Sequence, residues 1–420
     1  MAAHNRHTIL GAGITGLLHA WYAIKRGEDV TLIEKAGRAG GLIHTIHNEF
    51  GMAETAANGV INSSLFEELC RDLQLEMVTA NKDASRRYIW QDGKLRRLPL
   101  KLGDKIRLFA GIAFKDATVQ PGERLAHWGA RVLGPSAVHS IMQPAFGGIY
   151  AGDVERMNAE LVLKQRILGK GSMMRQLRLS RKEKKHLQPK QRGLVSLRYG
   201  MGSLTDGLAR FVRENAAVHY NCEVADIKTL QANWPADRYT LTVGIAGLIP
   251  LVKALAREHG WPEPPVAALH SYNLLSVTRF GSDPIVSKKG FGVLFGPEAP
   301  LRARGILFNN FIFPGRVHQD NFSETFIYGG AFDNRVTDLD DEMVRQQVEQ
   351  DRRLLKTDSL PPRHYAIFRW NAALPAYEDE LLHFNTWLDQ YLPDSIRAEG
   401  NFRYGIGLST ILERAWLLNS

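Results

Sequence analysis

The residues from His7 to Thr45 read HTILGAGITGLLHAWYAIKRGEDVTLIEKAGRAGGLIHT, and this stretch decides the fold. Thr8-Ile9-Leu10 is a short apolar run typical of a buried strand, and a helical pattern follows the glycine turn to about Lys25. Val30–Ile33 predicts a second strand, which ends at Glu34. The order of strand, glycine turn, helix, strand and acid predicts a dinucleotide-binding fold.

Each glycine of the turn has its own physical role. Gly11 permits a tight turn off the strand, Gly13 lets backbone approach a pyrophosphate, and Gly16 lets the helix pack closely against the sheet. Ile14 and Thr15 begin the helix, whose free N–H groups and partial positive charge favour phosphate. The spacing therefore predicts a dinucleotide site, and a tight turn without a ligand is the alternative.

The acid at the end of the second strand leads into a second glycine-rich segment. Glu34 can accept hydrogen bonds from ribose hydroxyls. The segment after it resembles the extended FAD signature of amine-oxidase-like flavoenzymes, with cofactor candidates Lys35, Arg38, Gly40, Gly41 and Leu42. The glycine pair can bring backbone against phosphate or ribityl, and the arginine can add positive charge. A surface loop with two glycines is the alternative interpretation.

Composition limits the class of protein. A chain of 420 residues predicts two or three domains. Cys70 and Cys222 form no CxxC pair and no disulfide framework, which predicts a reducing, cytoplasmic compartment and buried inert thiols. The net charge of +9 fits an anionic substrate, an anionic membrane surface or simply a basic soluble surface. No metal-ligand pattern is found.

The ends and apolar stretches of the chain bear on its location. The first predicted strand begins almost at once, so we expect no signal peptide. No stretch approaches the roughly 20 apolar residues of a spanning helix. We therefore expect a soluble or peripheral protein, placed in the cytoplasm or at the inner face of the membrane.

Two segments raise the question of a membrane or nucleic-acid partner. The apolar run Phe109–Phe114 has basic neighbours; a buried helix is the default interpretation and an interfacial helix the second. Arg175 to Arg192 holds eight Lys or Arg residues and no aromatic residue to stack bases, which argues against nucleic acid. For this segment we predict a solvated or disordered loop, with contact to anionic lipid second.

Coarse patterning places further elements along the chain. Arg86–Trp90 and Lys94–Pro99 predict a hairpin around Asp92-Gly93. The region from Leu100 to Leu168 is predicted to be mostly helical, broken by a glycine-rich loop over Pro144–Asp153. A mixed or antiparallel sheet is predicted from strands at Ser271–Phe280, Gly292–Phe295, Gly305–Phe313 and Glu324–Tyr328. Further predictions are strands at Val195–Tyr199 and Val218–Val224 and helices at Ser203–Val212 and Asp340–Leu355.

The order of these motifs resembles the FAD-dependent protoporphyrinogen oxidases and their bacterial coproporphyrinogen-oxidising relatives. The resemblance runs nearly end to end and rests on blocks such as GMAETAANGV, RRYIWQDGKLRRLPL, MQPAFGGIYAGDVERM, RGILFNNFIFPGR, FIYGGAF and GNFRYGIGLS. It implies an α/β protein with a discontinuous Rossmann-like FAD-binding domain, a mixed-sheet substrate domain and a helical membrane-associating subdomain. The implied ranges are 1–85, 193–250 and 385–420 for FAD binding, 86–100 and 251–384 for substrate, and 101–192 for the helical subdomain.

The resemblance also implies an activity. Bound FAD would oxidise a porphyrinogen, protoporphyrinogen IX to protoporphyrin IX, with dioxygen as acceptor, in haem biosynthesis. The chemistry is centred on the flavin, and no side chain is assigned as a catalytic residue. Three alternatives stay open: coproporphyrinogen III oxidation, a non-catalytic or accessory porphyrin-binding protein, and a flavin amine oxidase. A monomer and a dimer are both compatible with the sequence.

The resemblance transfers five residues to the substrate site. Arg87 would face a propionate, Gly148 would be a loop glycine near the macrocycle, and Leu294 and Leu307 would sandwich a pyrrole ring. Ile327 would offer aliphatic packing where some members have Phe. Without the resemblance, the three apolar residues would be assigned to a core and the arginine to a surface strand.

The resemblance adds cofactor candidates beyond the first glycine turn, and it has departures. The added candidates are Val224, Gly400, Asn401, Gly407 and Leu408. The segment between Val224 and Val243 looks short for the family. Glu399 precedes the glycine expected near the flavin, where a buried negative charge beside phosphates would be costly.

Overall fold

The computed structural model describes residues 5–163, 167, 169–318 and 320–419. Some positions of the predicted ranges lie outside the described residues: 1–4 and 420 of the FAD-binding ranges, 164–166 and 168 of the helical region, and 319 of the substrate range. The strands, numbered in chain order, are β1 Arg6–Leu10, β2 Asp29–Ile33, β3 Thr45–Asn48, β4 Gly51–Glu54, β5 Val60–Ile61, β6 Met77–Thr79, β7 Arg87–Gln91, β8 Lys94–Arg96, β9 Leu194–Leu197, β10 Ala217–His219, β11 Arg238–Leu241, β12 Ser271–Gly281, β13 Gly292–Leu294, β14 Gly305–Phe308, β15 Phe322–Gly329, β16 His364–Pro375 and β17 Ile396–Ala398.

Helices connect and cover these strands. In chain order they are α1 Ile14–Lys25, α2 Ser64–Asp72, α3 Leu102–Phe114, α4 Leu125–Val132, α5 Pro135–Ala137, α6 Gln143–Tyr150, α7 Ala159–Leu163, α8 Met173–Glu183, α9 Gly202–Asn215, α10 Ile227–Asn233, α11 Ile245–His259, α12 Asn309–Ile312, α13 Asp341–Leu355, α14 Asp379–Tyr391, α15 Asn401–Tyr404 and α16 Leu408–Leu417. A π-helical segment, Val138–Met142, joins α5 to α6, and short 3₁₀ turns occur at Lys82–Ser85, Lys184–Leu187 and Val336–Asp338.

The first sheet is parallel, with strand order β10-β2-β1-β11-β17. Its strands come from both ends and the middle of the described chain. The helix after β1 ends as predicted, because Gly27 has φ 78° and leaves the helix in the left-handed region. The strand–turn–helix–strand prediction for the opening stretch is confirmed.

The second sheet is mixed, with strand order β16-β12-β15-β14-β13-β7-β8. The pair β7–β13 is parallel and every other pair is antiparallel. The predicted hairpin is β7–β8, where Asp92 and Gly93 both have positive φ, as a two-residue hairpin turn requires. One face, which we call the back face, carries Tyr88, Val293 and Phe326 and packs with Val344 and Val348 of α13.

The structure corrects two loop predictions. Residues 143–150 are helical (α6), and the chain leaves the helix only at Ala151, which is left-handed. The glycines are there for packing rather than turning: a Cβ on Gly148 would lie 2.5 Å from Leu294 Cδ2. The cationic segment is also helical over α8 and a 3₁₀ turn, anchored by the buried Gln176 and Leu187.

Three further expectations are corrected. The run Phe109–Phe114 is not buried, since Phe109 and Phe114 of α3 are 59% and 85% exposed. The strand predicted over Val218–Val224 is only β10, and Val224 lies in the loop after it. The strand predicted to Phe313 ends at Phe308 and gives way to α12.

Candidate functional site

The turn after β1 has the geometry of a phosphate cradle. Gly11 has φ 105°, which favours glycine, and a Cβ on Gly16 would lie 1.8 Å from the Gly11 carbonyl oxygen. A Cβ on Gly13 would meet nothing within 4 Å, so the space beside the start of α1 is open. Ile14 and Thr15 form the first turn of this helix, whose N–H groups face that space.

Glu34 and the glycine pair are attached directly to this turn. The Glu34 carboxylate accepts hydrogen bonds from the Ala12 N–H at 2.7 Å and the Ala36 N–H at 2.8 Å. Gly40 and Gly13 form a parallel β-bridge, and the Gly40 N–H donates to the Ala12 carbonyl at 2.8 Å. Residues that sequence reasoning placed in one cofactor set are therefore neighbours in space.

The rest of the glycine-rich segment lies at the surface of this cradle. Arg38 donates to the Gly41 carbonyl at 3.2 Å and is exposed, as is Lys35. Leu42 is partly buried, and its carbonyl accepts from the Thr55 hydroxyl at 2.6 Å. Arg38 and a glycine-lined backbone beside the open space at Gly13 fit the diphosphate of a dinucleotide.

The loop that contains Val224 is hydrogen-bonded to the backbone of Glu34. The Cys222 N–H donates to the Glu34 carbonyl at 3.0 Å, and the Asn221 N–H donates to the Ala36 carbonyl at 3.2 Å. Val224 comes two residues later and is partly buried. This loop therefore lies beside the acid end of the cradle.

The C-terminal candidates approach from the far edge of the parallel sheet. Gly400 and Asn401 follow β17, while Gly407 and Leu408 begin α16, which packs on α1. Glu399 is 4% exposed, and burial raises the pKa of its carboxyl group. Arg414 and Arg403 oppose this rise, so the predicted buried charge is partly compensated within the protein.

The substrate candidates share one face of the mixed sheet, which we call the front face. Leu294 and Ile327 both lie level with Gly305, and Leu307 lies level with Gly292 and hence with Arg87. Because side chains alternate along strands, these four point to the side opposite the back face. Leu294, Leu307 and Ile327 are only partly buried, so an apolar surface remains open.

The front face is turned toward the parallel-sheet half of the molecule. Trp370, on the same face, donates from its indole N–H to the Thr55 carbonyl at 3.0 Å. Phe368 packs in a cluster with Ala53 and Phe50. The apolar surface therefore lies in the space between the two sheets.

Arg87 and its neighbour have different surroundings. The Arg87 guanidinium is exposed and lies 5.1 Å from the centre of the Phe291 ring. In the described part of the chain no carboxylate pairs with it, whereas Arg86 pairs with Asp83 at 2.8 Å. Arg87 is thus an available cation at the edge of an apolar surface.

Helix α6 connects the front face to the C-terminal loop. Its Gly148 contacts Leu294, and its Tyr150 ring lies 4.9 Å from the ring of Tyr377. The Tyr377 hydroxyl donates to the Asn401 carbonyl at 2.6 Å. Substrate and cofactor candidates, far apart in sequence, are therefore joined through one helix.

A buried ion pair that sequence reasoning missed holds the two halves together. Arg316 donates to Glu54 Oε1 at 2.6 Å, and both residues are about 5% exposed. Glu54 also accepts from the Thr45 hydroxyl and the Met201 N–H. Burial lowers the pKa of Arg316, and Glu54 opposes this. The FPGR and GMAET blocks contain these residues, but nothing in the sequence indicates that the two residues form a pair.

A parallel sheet with a dinucleotide cradle facing an apolar pocket defines a nucleotide-cofactor oxidoreductase. The family model of flavin-containing amine oxidoreductases matches residues 14–404, and the chain belongs to this family. FAD is its cofactor, as the sequence predicts, and the open space at Gly13 with the acceptor Glu34 fits it.

Individual relatives agree with the resemblance found in the sequence. The chain is 23% identical to the chloroplastic protoporphyrinogen oxidase of Nicotiana tabacum, over 97% of this chain and 83% of that protein. It is 20% identical to the coproporphyrinogen III oxidase of Bacillus subtilis (strain 168), over 88% and 87%. A crystal structure of a provisionally named protoporphyrinogen oxidase from Exiguobacterium sp. 255-15 superposes with TM-score 0.76 at 20% identity, covering 100% and 98%. The mixed α/β flavoenzyme fold is thereby confirmed.

Proposed function

We propose that this flavoenzyme oxidises a porphyrinogen to a porphyrin, with dioxygen as the final acceptor. The observation that carries the proposal is the front face, an open apolar surface. At its edge lies Arg87, with which no carboxylate of the described residues pairs. Such a surface suits a flat, apolar macrocycle with carboxylates on its rim. The named activities of the relatives in Nicotiana tabacum and Bacillus subtilis support the same class of substrate.

The residues have distinct roles in this proposal. Leu294, Leu307 and Ile327 pack against pyrrole rings, and Gly148 gives α6 a flat side next to them. Arg87 pairs with a propionate and orients the ring. Bound FAD supplies the two-electron acceptor chemistry. The protein positions a meso carbon for it and keeps water out.

The test is anaerobic addition of each porphyrinogen to the purified flavoprotein while the flavin absorbance is recorded. We expect bleaching by a porphyrinogen and recovery when air is admitted. Bleaching by an amine alone would establish a flavin amine oxidase. Porphyrin binding without bleaching would establish an accessory binding protein, the reading that the buried Glu399 favours.

We also propose weak contact with an anionic membrane through α3 and α8. Leu102, Ile106, Phe109 and Phe114 form an exposed stripe on α3, and α8 beside it carries exposed Leu177 and several cations. Apolar side chains flanked by cations suit an interface of anionic headgroups. Among the described residues, no helix is long and apolar enough to cross a bilayer.

Vesicle sedimentation tests this contact. We expect binding to anionic vesicles that decreases with salt, because the Debye length falls to about 10 Å at 0.1 M. The double variant F109S/F114S should lose it. M343S/L354S, which removes exposed apolar residues of α13, is the control. Absence of wild-type sedimentation at low salt would contradict the proposal.

A further inference from the structure

A hydroxyl group lies among the apolar side chains of the front face. Ser276 of β12 pairs with Ile327 of β15 on one side and with Phe368 of β16 on the other. Ile327 in turn lies level with Gly305, and Gly305 lies level with Leu294. Since residues directly opposite each other in a sheet point to the same side, Ser276 faces the same space as Leu294 and Ile327.

The Ser276 hydroxyl is open to a ligand. Ser276 is partly exposed, and its hydroxyl makes no hydrogen bond to another residue in the described part of the chain. The hydroxyls one row further along this face have partners, because Thr278 and Thr325 are buried and hydrogen-bonded to each other at 2.8 Å. The Asn309 amide donates to Thr325 and to Ser323, both at 3.0 Å. Ser276 therefore differs from these neighbours in having a hydroxyl that a ligand can reach.

Ser276 lies at the inner border of the open apolar surface. Its strand is three strands away from β13, so the backbones of Ser276 and Leu294 are ~14 Å apart at ~4.8 Å per strand. Phe368, on the next strand, packs in a cluster with Phe50 from the other half of the molecule. A macrocycle that covers Leu294 and Ile327 therefore reaches Ser276 before it meets this cluster.

The substrate and the product of the proposed reaction differ in the hydrogen bonds that they offer to such a hydroxyl. In a porphyrinogen every nitrogen carries hydrogen and the meso carbons are tetrahedral, so a pyrrole ring can tilt and direct its N–H group toward one face. In a porphyrin the macrocycle is flat and conjugated, and its remaining N–H groups point into the centre of the ring. A hydroxyl oxygen beside the face can therefore accept from the porphyrinogen but not from the porphyrin.

We propose that the Ser276 hydroxyl accepts a hydrogen bond from a pyrrole N–H group and makes the site selective for porphyrinogen over porphyrin. This inference rests on the porphyrinogen oxidation proposed above. Leu294, Leu307 and Ile327 contact both forms of the macrocycle by apolar packing, so the hydroxyl supplies the difference between them. Oxidation removes the hydrogen bond, which weakens binding of the product and favours its release.

The experiment compares S276T with S276V, whose side chains have the same shape and differ by one hydroxyl. Anaerobic equilibrium dialysis of the flavoprotein, with its flavin reduced beforehand so that no turnover occurs, gives the Kd of protoporphyrinogen IX, of coproporphyrinogen III and of their porphyrins. We expect the Kd of a porphyrinogen to be about two- to tenfold higher in S276V than in S276T, as loss of a neutral hydrogen bond predicts. The Kd of each porphyrin should be the same in both variants. S271A, which removes a hydroxyl at the start of the same strand, is the control and should leave every Kd unchanged.

The outcomes separate this inference from the proposed function. If wild type binds a porphyrinogen but does not oxidise it, the proposed function fails, and the comparison of S276T with S276V still decides the role of Ser276. Equal Kd values for porphyrinogen in the two variants, an equal change for the porphyrin, or no binding of either porphyrinogen to wild type would overturn the selectivity proposed for Ser276. A difference confined to porphyrinogens, with flavin content unchanged, supports it.

Discussion

The two sheets build their binding surfaces by different means. The cradle on the parallel sheet is made of backbone: Gly11, Gly13 and Gly16 shape a space, and main-chain N–H groups line it. The front face of the mixed sheet is made of side chains that four strands bring into register. The sequence of one local segment determines a backbone site, whereas the pairing of several strands determines which side chains share a face. This difference determines how each region responds to mutation.

The largest expected effect is the loss of FAD from Gly13→Glu. Gly13 has φ −69°, and a Cβ there meets nothing, so the fold should tolerate the side chain. The glutamate would fill the phosphate space and repel the diphosphate. We expect no bound flavin in the purified protein but normal circular dichroism.

Gly16→Ala is the matched contrast within the same turn. Its Cβ would lie 1.8 Å from a backbone oxygen, so we expect loss of the folded protein rather than of flavin alone. If Gly13→Glu retained flavin, or Gly16→Ala folded and bound FAD normally, the backbone cradle would be assigned wrongly.

The next effect concerns the ion pair that joins the two halves. Arg316→Met leaves Glu54 buried without its cation, which typically costs about 3–5 kcal/mol of unfolding free energy. The double variant R316M/E54Q should be less destabilised than the single variant, because no unpaired charge remains. Urea unfolding measures both, and the exposed Arg335→Met should be nearly neutral. Equal losses in single and double variants would contradict a specific pair.

A smaller effect is expected at Arg87. A charged hydrogen bond contributes about 1.5–3 kcal/mol, so Arg87→Ala should lower kcat/KM for porphyrinogen about ten- to a hundred-fold, mostly through KM. Flavin content should not change. Arg87→Lys should recover part, since an ammonium cannot form the planar fork.

Arg86→Ala is the internal control for that experiment. Arg86 is paired with Asp83 at the surface, so its loss should be nearly neutral. Equal damage from both variants would indicate a general fold defect. Damage from Arg86 alone would move the propionate contact one residue along the chain.

The same comparison explains what the sequence could predict. The cradle was predictable because Gly11 to Glu34 form one local pattern whose spacing carries its geometry. The front face was not, because Leu294, Leu307 and Ile327 look like ordinary strand residues, and only the family resemblance selected them. The sequence predicts a loop at Gly147-Gly148 because glycine usually breaks helices. The close contact between Gly148 and Leu294, a tertiary constraint, overrides that propensity.

Burial of polar groups could not be predicted from the sequence either. The Glu54–Arg316 pair depends on contacts between segments far apart in sequence. The sequence predicts that α3 is buried, because an apolar run is the usual sign of a core helix. The run itself does not indicate whether another element covers it, and the stripe on α3 is exposed. For Cys70, by contrast, the prediction of a buried inert thiol is confirmed: it is 1% exposed, and burial raises its pKa to about 12. For Cys222 the prediction of burial is wrong, because this thiol is only partly buried in the loop after β10.

The last expected effect is a pH dependence that should differ between the two sheets. His19 lies in α1 beside the parallel sheet, and its Nδ1 accepts from the Asn419 amide at 3.0 Å. Burial lowers the pKa of His19 to about 3. Glu324 lies in β15 of the mixed sheet, where burial raises its pKa to about 7 although Arg352 and Arg279 oppose this.

The two groups change the unfolding free energy with opposite sign as the pH rises. The unfolded chain binds a proton at His19 near pH 6.5 and the folded protein does not, so this stability is present above pH 6.5 and is lost as pH falls toward about 3. For Glu324 the folded protein holds the extra proton, so its stability is present below about pH 4.5 and is lost as pH rises through about 7. Each group changes the unfolding free energy by at most about 1.4 kcal/mol per pH unit.

Thermal melting of wild type, H19Q and E324Q from pH 4 to 8 tests this contrast. H19Q should lose less stability than wild type on acidification, and E324Q should lose less than wild type on alkalinisation. Taking each variant as a difference from wild type cancels the shared contribution of FAD. Parallel curves for all three proteins would mean that neither burial controls ionisation, and the contrast between the two sheets would then rest on geometry alone.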